Sequence, residues 1–389
     1  MPGPLTGIEI VELAGIGPAQ LGGMLLADLG AQVIRIDRVA DVPTEPPEQP
    51  SREILSRGRR SIALDLKQTE GQAILRRLVD RADVLLDPYR PGVVHRLGLA
   101  PEAALVRNPR LVFAQVTGWG QTGPLAQAAG HDLNYIALAG ALEPMGDPGA
   151  PPQVPLNLVA DFGGGGMLLA VGVLAALFER ERSGRGQVID VAMVDGVATL
   201  LASVLQLDAM GQWVSGRGSN WVAGAAPWYR PYRTSDDRYV TVASLEDKFY
   251  ALLLGTLGLD AAEWPQWNRE RWEELSALLA QIISTKTMDE WCEALEGTDV
   301  CFSPVLSFAE AAVHPHLAAR GTYVEQDGVL QPAAAPRFDR TPGSIAAPPP
   351  WPGEHTASVL AELGITRDES AALLRREVAR CLPVSEVTT

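Results

Sequence analysis

Cysteine is scarce in this sequence. The 389 residues contain three, at Cys292, Cys301 and Cys381, and they form no Cys-x-x-Cys or Cys/His zinc pattern. A disulfide-built scaffold is therefore excluded, and we expect no metal site. Positive charge is also scarce, because 32 Lys and Arg stand against 47 Asp and Glu, a net charge of −15. General binding to nucleic acid or to an anionic membrane needs a positive surface, so we expect neither partner.

Targeting and membrane segments are lacking as well. The N-terminus has no basic stretch followed by a long apolar run, so we expect no signal peptide. The longest apolar stretches contain glycine or charge, and we expect them to fall short of a membrane span. These absences predict a soluble protein of the cytoplasm.

What is present is an ordinary globular composition, with 47% hydrophobic and 20% charged residues. A strand at 8–13, a helix at 19–29 and a strand at 33–36 form a βαβ opening. Further predicted strands lie at 61–65, 84–86, 111–117 and 186–191, and helices at 69–81, 163–182 and 195–211. Strands that alternate with helices predict the α/β class, with a mostly parallel sheet in a large Rossmann-like domain.

Composition changes near residue 212, and six of the nine tryptophans lie between Trp213 and Trp272. We predict a smaller α+β domain over 225–320, reached through a linker helix region at 201–224. The large domain then covers 1–200, and residues 321–389 form a Pro-rich segment followed by short C-terminal helices.

The first strand–helix turn invites a dinucleotide interpretation. Gly15 and Gly17 supply the first two glycines of Gly-x-Gly-x-x-Gly, and Asp37 ends the second strand, where an acid would hold a ribose hydroxyl. Gln20 occupies the sixth position and breaks the motif. A nicotinamide or flavin site is thus the lesser interpretation, beside a Rossmann-like fold without that cofactor.

Basic residues gather in the first hundred positions. A local basic group in an acidic protein indicates a phosphate-bearing ligand, since Arg pairs bidentately with phosphate; solvated surface charge is the alternative. The group consists of Arg35, Arg38, Arg52, Arg57, Arg59, Arg60, Lys67, Arg90 and Arg96.

Three positions carry candidate proton-transfer groups. His131 lies in a Gly-His-Asp sequence after a loop rich in glycine and proline. An imidazole suits proton transfer near neutral pH; the alternative interpretation is a structural histidine. Asp161 precedes four glycines, 163–166, and is either a helix N-cap or a base or nucleophile beside approachable amides. Glu246, taken alone, is an acid at a helix N-terminus.

Taken together in order and spacing, these segments resemble the class III (CaiB/BaiF-type) CoA-transferase superfamily, and within it the α-methylacyl-CoA racemases. The resemblance is carried by 4–7, 11–15, 24–38, 89–92, 117–124, 130–132, Asp161 with its glycines, 184–187 and 353–356. It implies a two-domain subunit whose chain leaves and re-enters the large domain, and two subunits interlocked as a homodimer. The active site is then expected between the large domain of one subunit and the small domain of the other.

The resemblance also implies catalytic roles. His131 and Asp161 match the two acid/base groups of a racemase that moves a proton at Cα of a 2-methylacyl-CoA through an enolate. Glu246 matches the glutamate that supports this histidine, and Asp132 is expected to tune His131 or to hold a water. The glycine-run amides are the expected enolate donors. A CoA-transferase, with Asp161 as the nucleophile that forms an aspartyl-CoA thioester, is the alternative; an idle CoA-ester binding protein is another.

One observation favours the racemase. Transferases of this superfamily carry a glycine-rich loop in the small domain, whereas residues 243–250 contain no glycine. CoA is part of the substrate, so no separate cofactor is expected. By resemblance, the CoA phosphates are expected at Arg38, Arg59, Arg60, Arg90 and Arg96, the adenine near Leu64, Leu66 and Lys67, and further substrate contacts at Gly92 and Tyr135.

Overall fold

The structure, a computed structural model, describes residues 3–383. Its strands are β1 (Glu9–Leu13), β2 (Gln32–Arg38), β3 (Arg59–Leu64), β4 (Val84–Asp87), β5 (Val112–Thr117), β6 (Val188–Ala192), β7 (Tyr229–Arg233), β8 (Tyr239–Ala243), β9 (Phe302–Pro304), β10 (Tyr323–Gln326), β11 (Val329–Pro332) and β12 (Ala379–Arg380). Its α-helices are α1 (Pro18–Asp28), α2 (Thr69–Val79), α3 (Val93–Arg96), α4 (Pro101–Arg107), α5 (Asp132–Leu138), α6 (Leu168–Ser183), α7 (Met193–Leu200), α8 (Ala202–Ala209), α9 (Asp247–Thr256), α10 (Trp272–Ile283), α11 (Met288–Leu295), α12 (Phe308–Val313), α13 (Pro315–Arg320), α14 (Thr356–Glu362) and α15 (Arg367–Arg375). A π-helix over Leu158–Met167 leads directly into α6.

The chain divides into two compact units. Unit 1 comprises Met1–Gly140, Pro155–Leu201 and Gly321–Thr389, and unit 2 comprises Ala141–Val154 and Ala202–Arg320. Unit 1 is therefore assembled from three segments of chain, and its last segment is synthesised after unit 2 is complete.

Unit 1 contains a seven-stranded sheet in the order β12-β3-β2-β1-β4-β5-β6. Every neighbouring pair is parallel except β12 with β3, which is antiparallel. The predicted α/β class with a mostly parallel sheet is confirmed.

Both faces of this sheet are buried, because consecutive side chains of a strand point to opposite faces. Val11 and Ile34 belong to a core that includes α2 and α14, whereas their neighbours Ile10 and Val33 belong to a core that includes α1 and α6. Parallel strands covered on two faces read as nearly continuous apolar runs, which is why the sequence reveals them.

The strand order of this sheet reverses between β1 and β4. From β1 the chain moves outward through β2 and β3, and β4 then returns to the other side of β1. The loops that leave β1 and β4 diverge there, and such a crevice at the carboxyl ends of the strands is where open α/β sheets bind ligands.

One helix corrects a sequence-based expectation. The continuous helix Leu158–Ser183 has 26 residues and, by length and composition alone, is apolar enough to cross a membrane, although core helices of soluble proteins pass the same test. The expectation that every apolar stretch falls short was wrong, because the glycine run is itself helical and extends α6 toward its N-terminus. Leu169, Val173 and Leu177 bury one face of α6 against the sheet core of unit 1.

Unit 2 is built around the three-stranded antiparallel sheet β7-β8-β9. Its core is unusually aromatic, with Trp228 fully buried and stacked edge-on against Trp272 at 6.2 Å between ring centroids. The indole N–H groups of both residues donate to the carbonyl of Gln266, at 3.2 and 2.8 Å, so these buried polar atoms are satisfied.

Candidate active site

A cavity of about 420 Å³ lies in unit 1 where the strand order reverses. Its walls come from the residues that follow β1, β4 and β5, together with α5 and the π-helix. Polar and charged side chains that line it are Arg90, Thr117, Trp119, His131, Tyr135, Asn157 and Asp161. The structure therefore brings both candidate proton-transfer groups to one cavity.

His131 reaches this cavity as the residue immediately before α5. Its backbone N–H donates to Oδ1 of Asn134 at 3.0 Å, whereas its imidazole makes no capping hydrogen bond. The residue is exposed. The backbone of His131 is thus anchored at a helix start, and the imidazole makes no side-chain hydrogen bond within residues 3–383.

Asp161 lies inside the π-helix, four residues after the N-cap position at Asn157. The interpretation of Asp161 as a helix N-cap is therefore wrong. Its Oδ2 accepts a 3.4 Å hydrogen bond from Asn157. Burial raises the pKa of Asp161 above its usual value and the Asp132 charge adds to the rise, while the Asn157 hydrogen bond and the nearby His131 oppose it. A raised carboxyl pKa suits a group that must both take up and release a proton.

Asp132 fastens the Asp161 segment to α5. The residue is 5% exposed, and Oδ2 accepts hydrogen bonds from the backbone N–H groups of Ala160 at 2.7 Å and Asp161 at 2.8 Å. Since Asp132 directly follows His131, one carboxylate sets the spacing between the two candidate acid/base residues. Its Oδ1 is buried without a partner in the described chain.

The glycine run does not supply free amides at a helix N-terminus. The helix begins at Leu158, so Gly163–166 lie in its interior, and the expectation of approachable glycine amides was wrong. These glycines permit close packing instead: a Cβ at Gly196 of α7 would lie 2.0 Å from the carbonyl oxygen of Gly164, and one at Gly165 would lie 2.7 Å from Pro18. The absence of side chains lets the helix that carries Asp161 sit directly on α1 and α7.

Glu246 belongs to unit 2, where it is exposed and occupies the N-cap position of α9 without a side-chain capping hydrogen bond. Its proposed partnership with His131 stays a prediction.

A second cavity of unit 1, of about 730 Å³, lies at the carboxyl ends of β2 and β3. Four of the residues predicted to contact CoA line it: Arg38, Leu64, Leu66 and Lys67. Arg376 and Arg380 line it too, and sequence reasoning missed them because the β12–β3 pairing that brings them there joins positions more than 300 residues apart.

Arg59 and Arg60 lie elsewhere, at the start of β3, and line neither cavity. Arg59 is 1% exposed and forms a 2.8 Å ion pair with the fully buried Glu12, so the structure contradicts its role as a phosphate ligand. Arg60 pairs with Glu362 of α14. A buried charge needs a partner, and the sequence does not reveal which arginines serve buried carboxylates.

The same distinction applies to other members of the basic group. Arg35 and Arg57 are buried and paired with Asp37 and Asp28, at 2.9 and 2.6 Å. Asp37, which also lines the 730 Å³ cavity, accepts a 2.5 Å hydrogen bond from Ser61 Oγ on the same Oδ2 atom that pairs with Arg35.

The remaining predicted substrate contacts lie on three elements. Tyr135 is buried with its hydroxyl donating to the carbonyl of Gly130, and it lines the 420 Å³ cavity together with Arg90. Gly92 has φ of 81° and starts α3, a left-handed conformation that favours glycine. Arg96, at the end of α3, is exposed and lines neither cavity.

Asp87 is the last residue of β4 and is fully buried. Burial raises its pKa to about 6, although Tyr89 N–H and Gln115 Nε2 donate to it at 2.9 and 3.2 Å. A carboxyl whose folded pKa exceeds its unfolded pKa of about 3.9 stabilises the fold below that value and loses this contribution as pH rises through about 6.

We expect Asp87→Asn to raise the free energy of unfolding at pH 8 by about 2–3 kcal/mol, from a shift of about two pKa units. Urea unfolding at pH 4, 6 and 8 measures it, and the gain is expected to vanish at pH 4. Asp339→Asn, the same change at an exposed carboxyl, serves as the control. Equal gains at all three pH values would contradict the assignment.

Comparison with known proteins agrees with this geometry. The model of CoA-transferase family III matches residues 5–356, and the chain belongs to that family. It is 45% identical to the α-methylacyl-CoA racemase of Mus musculus over 94% of both chains, and 44% identical to that of Homo sapiens over 94% of both. The crystal structure of a CAIB/BAIF family protein from Brucella suis superposes with a TM-score of 0.79 at 29% identity, covering 93% of this chain and 100% of that one.

In the part of the chain that the structure describes, no group of three His, Cys, Asp or Glu side chains is arranged to hold a metal ion.

Proposed function

We propose that this protein is a racemase of 2-methylacyl-CoA thioesters. The observation that carries the proposal is the meeting of His131 and Asp161 in one cavity, on separate elements that Asp132 ties together. The 44–45% identity to α-methylacyl-CoA racemases over nearly the whole chain supports the same reaction.

The chemistry requires two groups. A thioester acidifies its α-hydrogen, because the electron pair left on Cα when the proton departs is delocalised onto the carbonyl oxygen as an enolate. One group takes the proton from one face of Cα, and the conjugate acid of the other returns a proton to the opposite face. Each turnover thus begins with one group ionised and the other protonated, and positioned acid/base groups typically contribute about 10²–10⁴-fold each.

The raised pKa of Asp161 serves this cycle, because it makes the carboxylate a stronger base toward the α-hydrogen and keeps a larger fraction of the carboxyl protonated for the reverse direction. Arg90 and Asn157, which line the same cavity, are the nearby donors toward a developing enolate.

The 730 Å³ cavity is proposed to hold the nucleotide end of CoA. Arg38 and Lys67 line it beside the apolar Leu64 and Leu66, a combination suited to phosphate and adenine. The reaction needs no cofactor beyond the CoA of the substrate. We also propose a cytoplasmic location.

We also propose a homodimer in which Glu246 of the partner subunit orients His131. Both residues are exposed in their own units, and both are free of ion pairs in residues 3–383. Exposed apolar side chains along the Leu158–Ser183 helix, such as Val171 and Phe178, at 58% and 62% exposure, are compatible with a covered face.

The reaction is tested by incubating the protein with one epimer of a 2-methylacyl-CoA in D₂O without an acceptor acid. We expect deuterium at Cα and drift of the epimer ratio toward an equal mixture. Acyl or CoA transfer that appears only when a carboxylate acceptor is added would instead identify a CoA-transferase. CoA-ester binding with neither reaction would identify a binding protein.

A further inference from the structure

Four basic side chains line the 730 Å³ cavity, beside the acidic Asp37, Asp65 and Glu377, and two of the four come from the end of the described chain. Arg38 and Lys67 follow β2 and β3, whereas Arg376 and Arg380 belong to the segment around β12, which we call the C-terminal arm (376–380). The arm lies there because β12 pairs with β3, in the register Ala379 to Leu64.

The arm's backbone is firmly held. The N–H of Asp65 donates to Val378 at 2.8 Å, and Thr356 Oγ1 donates to the carbonyl of Arg380 at 2.7 Å. Val378 is fully buried. The two arginine side chains therefore project from a fixed main chain, and replacing them removes none of these backbone contacts.

The charges on the arm are available to a ligand. Arg380 forms no ion pair within residues 3–383. Arg376 contacts Glu70 at 2.5 Å, but the two side chains are 58% and 44% exposed, and an exposed pair of this kind contributes little and exchanges readily. The guanidinium of Arg59, by contrast, is held in a buried ion pair and cannot turn to a ligand.

We infer that Arg376 and Arg380 bind the 3′-phosphate of the CoA adenosine and make the protein selective for CoA over dephospho-CoA. The inference rests on the proposed function, which places the nucleotide in this cavity. Two guanidinium groups match a phosphate dianion better than one, because each presents a planar pair of N–H donors.

The order of the strands favours the 3′-phosphate over the diphosphate. The cavity with His131 and Asp161 lies by β1, β4 and β5, and β12 is the far edge strand on the other side. From β5 to β12 there are five strand spacings of about 4.8 Å each, or about 24 Å. A thioester bound near β5 extends its pantetheine and diphosphate across β1 and β2, and its last charged group, the 3′-phosphate, then reaches the arm.

Binding is measured by calorimetry with CoA and with dephospho-CoA on the full-length protein. We expect the wild type to bind CoA at least about 10-fold more tightly, and Arg376→Ala/Arg380→Ala to lose about 10- to 100-fold for CoA while changing less than about threefold for dephospho-CoA. Arg375→Ala is the matched control, because Arg375 is exposed, adjacent, and absent from the cavity wall. Arg376→Gln/Arg380→Gln, which keeps more of the side-chain packing, repeats the test.

An unchanged preference for CoA in both double variants would overturn the inference, as would an equal loss for the two ligands. A wild type that binds CoA selectively yet exchanges no α-hydrogen would refute the racemase and leave this inference standing. If the wild type racemises the thioester while both double variants keep the preference for CoA, the racemase stands and this inference is refuted.

Discussion

His131→Ala is expected to lower racemisation by at least about 10³-fold while leaving CoA affinity within about threefold, since one acid/base group typically contributes about 10²–10⁴. Asp161→Asn is expected to do the same, because the amide can neither take up nor release the proton. The two residues share a cavity but stand on different elements, α5 and the π-helix, so each variant leaves the other group in place.

This geometry gives the two variants opposite signatures. With one group removed, the remaining group still takes a proton from the single face it serves, and that proton exchanges with solvent without inversion. In D₂O, each variant is expected to exchange the α-hydrogen of one epimer only, and the two variants are expected to choose different epimers. The measurement is deuterium content of each epimer by chiral separation and mass spectrometry.

His316→Ala is the control for the first variant, because His316 is exposed and lies in unit 2 away from any described cavity wall. It should retain full activity. Near-normal racemisation by His131→Ala would remove His131 from the reaction, and exchange of the same epimer by both variants would refute two-face proton transfer.

Co-expression of two impaired variants, His131→Ala and Glu246→Ala, is expected to restore activity. Glu246→Ala alone should lower turnover by about 10- to 100-fold, part of the contribution of the histidine it orients. If each site takes His131 from one subunit and Glu246 from its partner, a mixed dimer of His131→Ala with Glu246→Ala contains one intact site and one doubly altered site. Random pairing then gives about a quarter of wild-type activity.

The alternative arrangement predicts no recovery. If Glu246 and His131 of one subunit form the site, every site in the mixed dimer carries one of the two changes. The mixed dimer is isolated by giving the two chains different tags and purifying by tandem affinity. The arrangement in which the subunits share each site predicts about half of wild-type activity for this mixed dimer. Co-expression of His131→Ala with Asp161→Asn is the negative control. Both residues line one cavity of unit 1, so every site in the mixed dimer lacks one of them and no activity should return.

Much of the fold follows from local sequence pattern. The buried parallel strands read as apolar runs, and Gly30 ends the first helix region where a left-handed φ of 102° is needed. His131 and Asp161 were identifiable because each stands in an unusual local context. What local pattern does not reveal is which distant residues meet. The buried pairing of Arg59 with Glu12 spans 47 positions, and a surface or ligand-binding arginine has the same sequence appearance.

The glycine run illustrates the same limit. Four glycines before an apolar helix favour a flexible start with free amides, yet here the helix begins five residues earlier and the glycines are interior. Glycine is needed here because α1 and α7 pack too closely to leave room for a Cβ, and these neighbours cannot be identified from the glycine run alone. Tertiary packing overrides the poor helix propensity of glycine, at a cost of about 1 kcal/mol each.

The position of β12 at the edge of the unit 1 sheet has a consequence for protein synthesis. At about 5–20 residues per second, the ribosome needs between about 3 and 12 s to proceed from Gly321 to Arg380. During that interval unit 2 is fully translated, whereas β3 still has an unpaired edge and one face of the sheet still lacks Val359 and Leu360 of α14. The nascent chain therefore exposes apolar surface of this sheet until α14 is made, and leaves the 730 Å³ cavity incomplete until β12 pairs with β3.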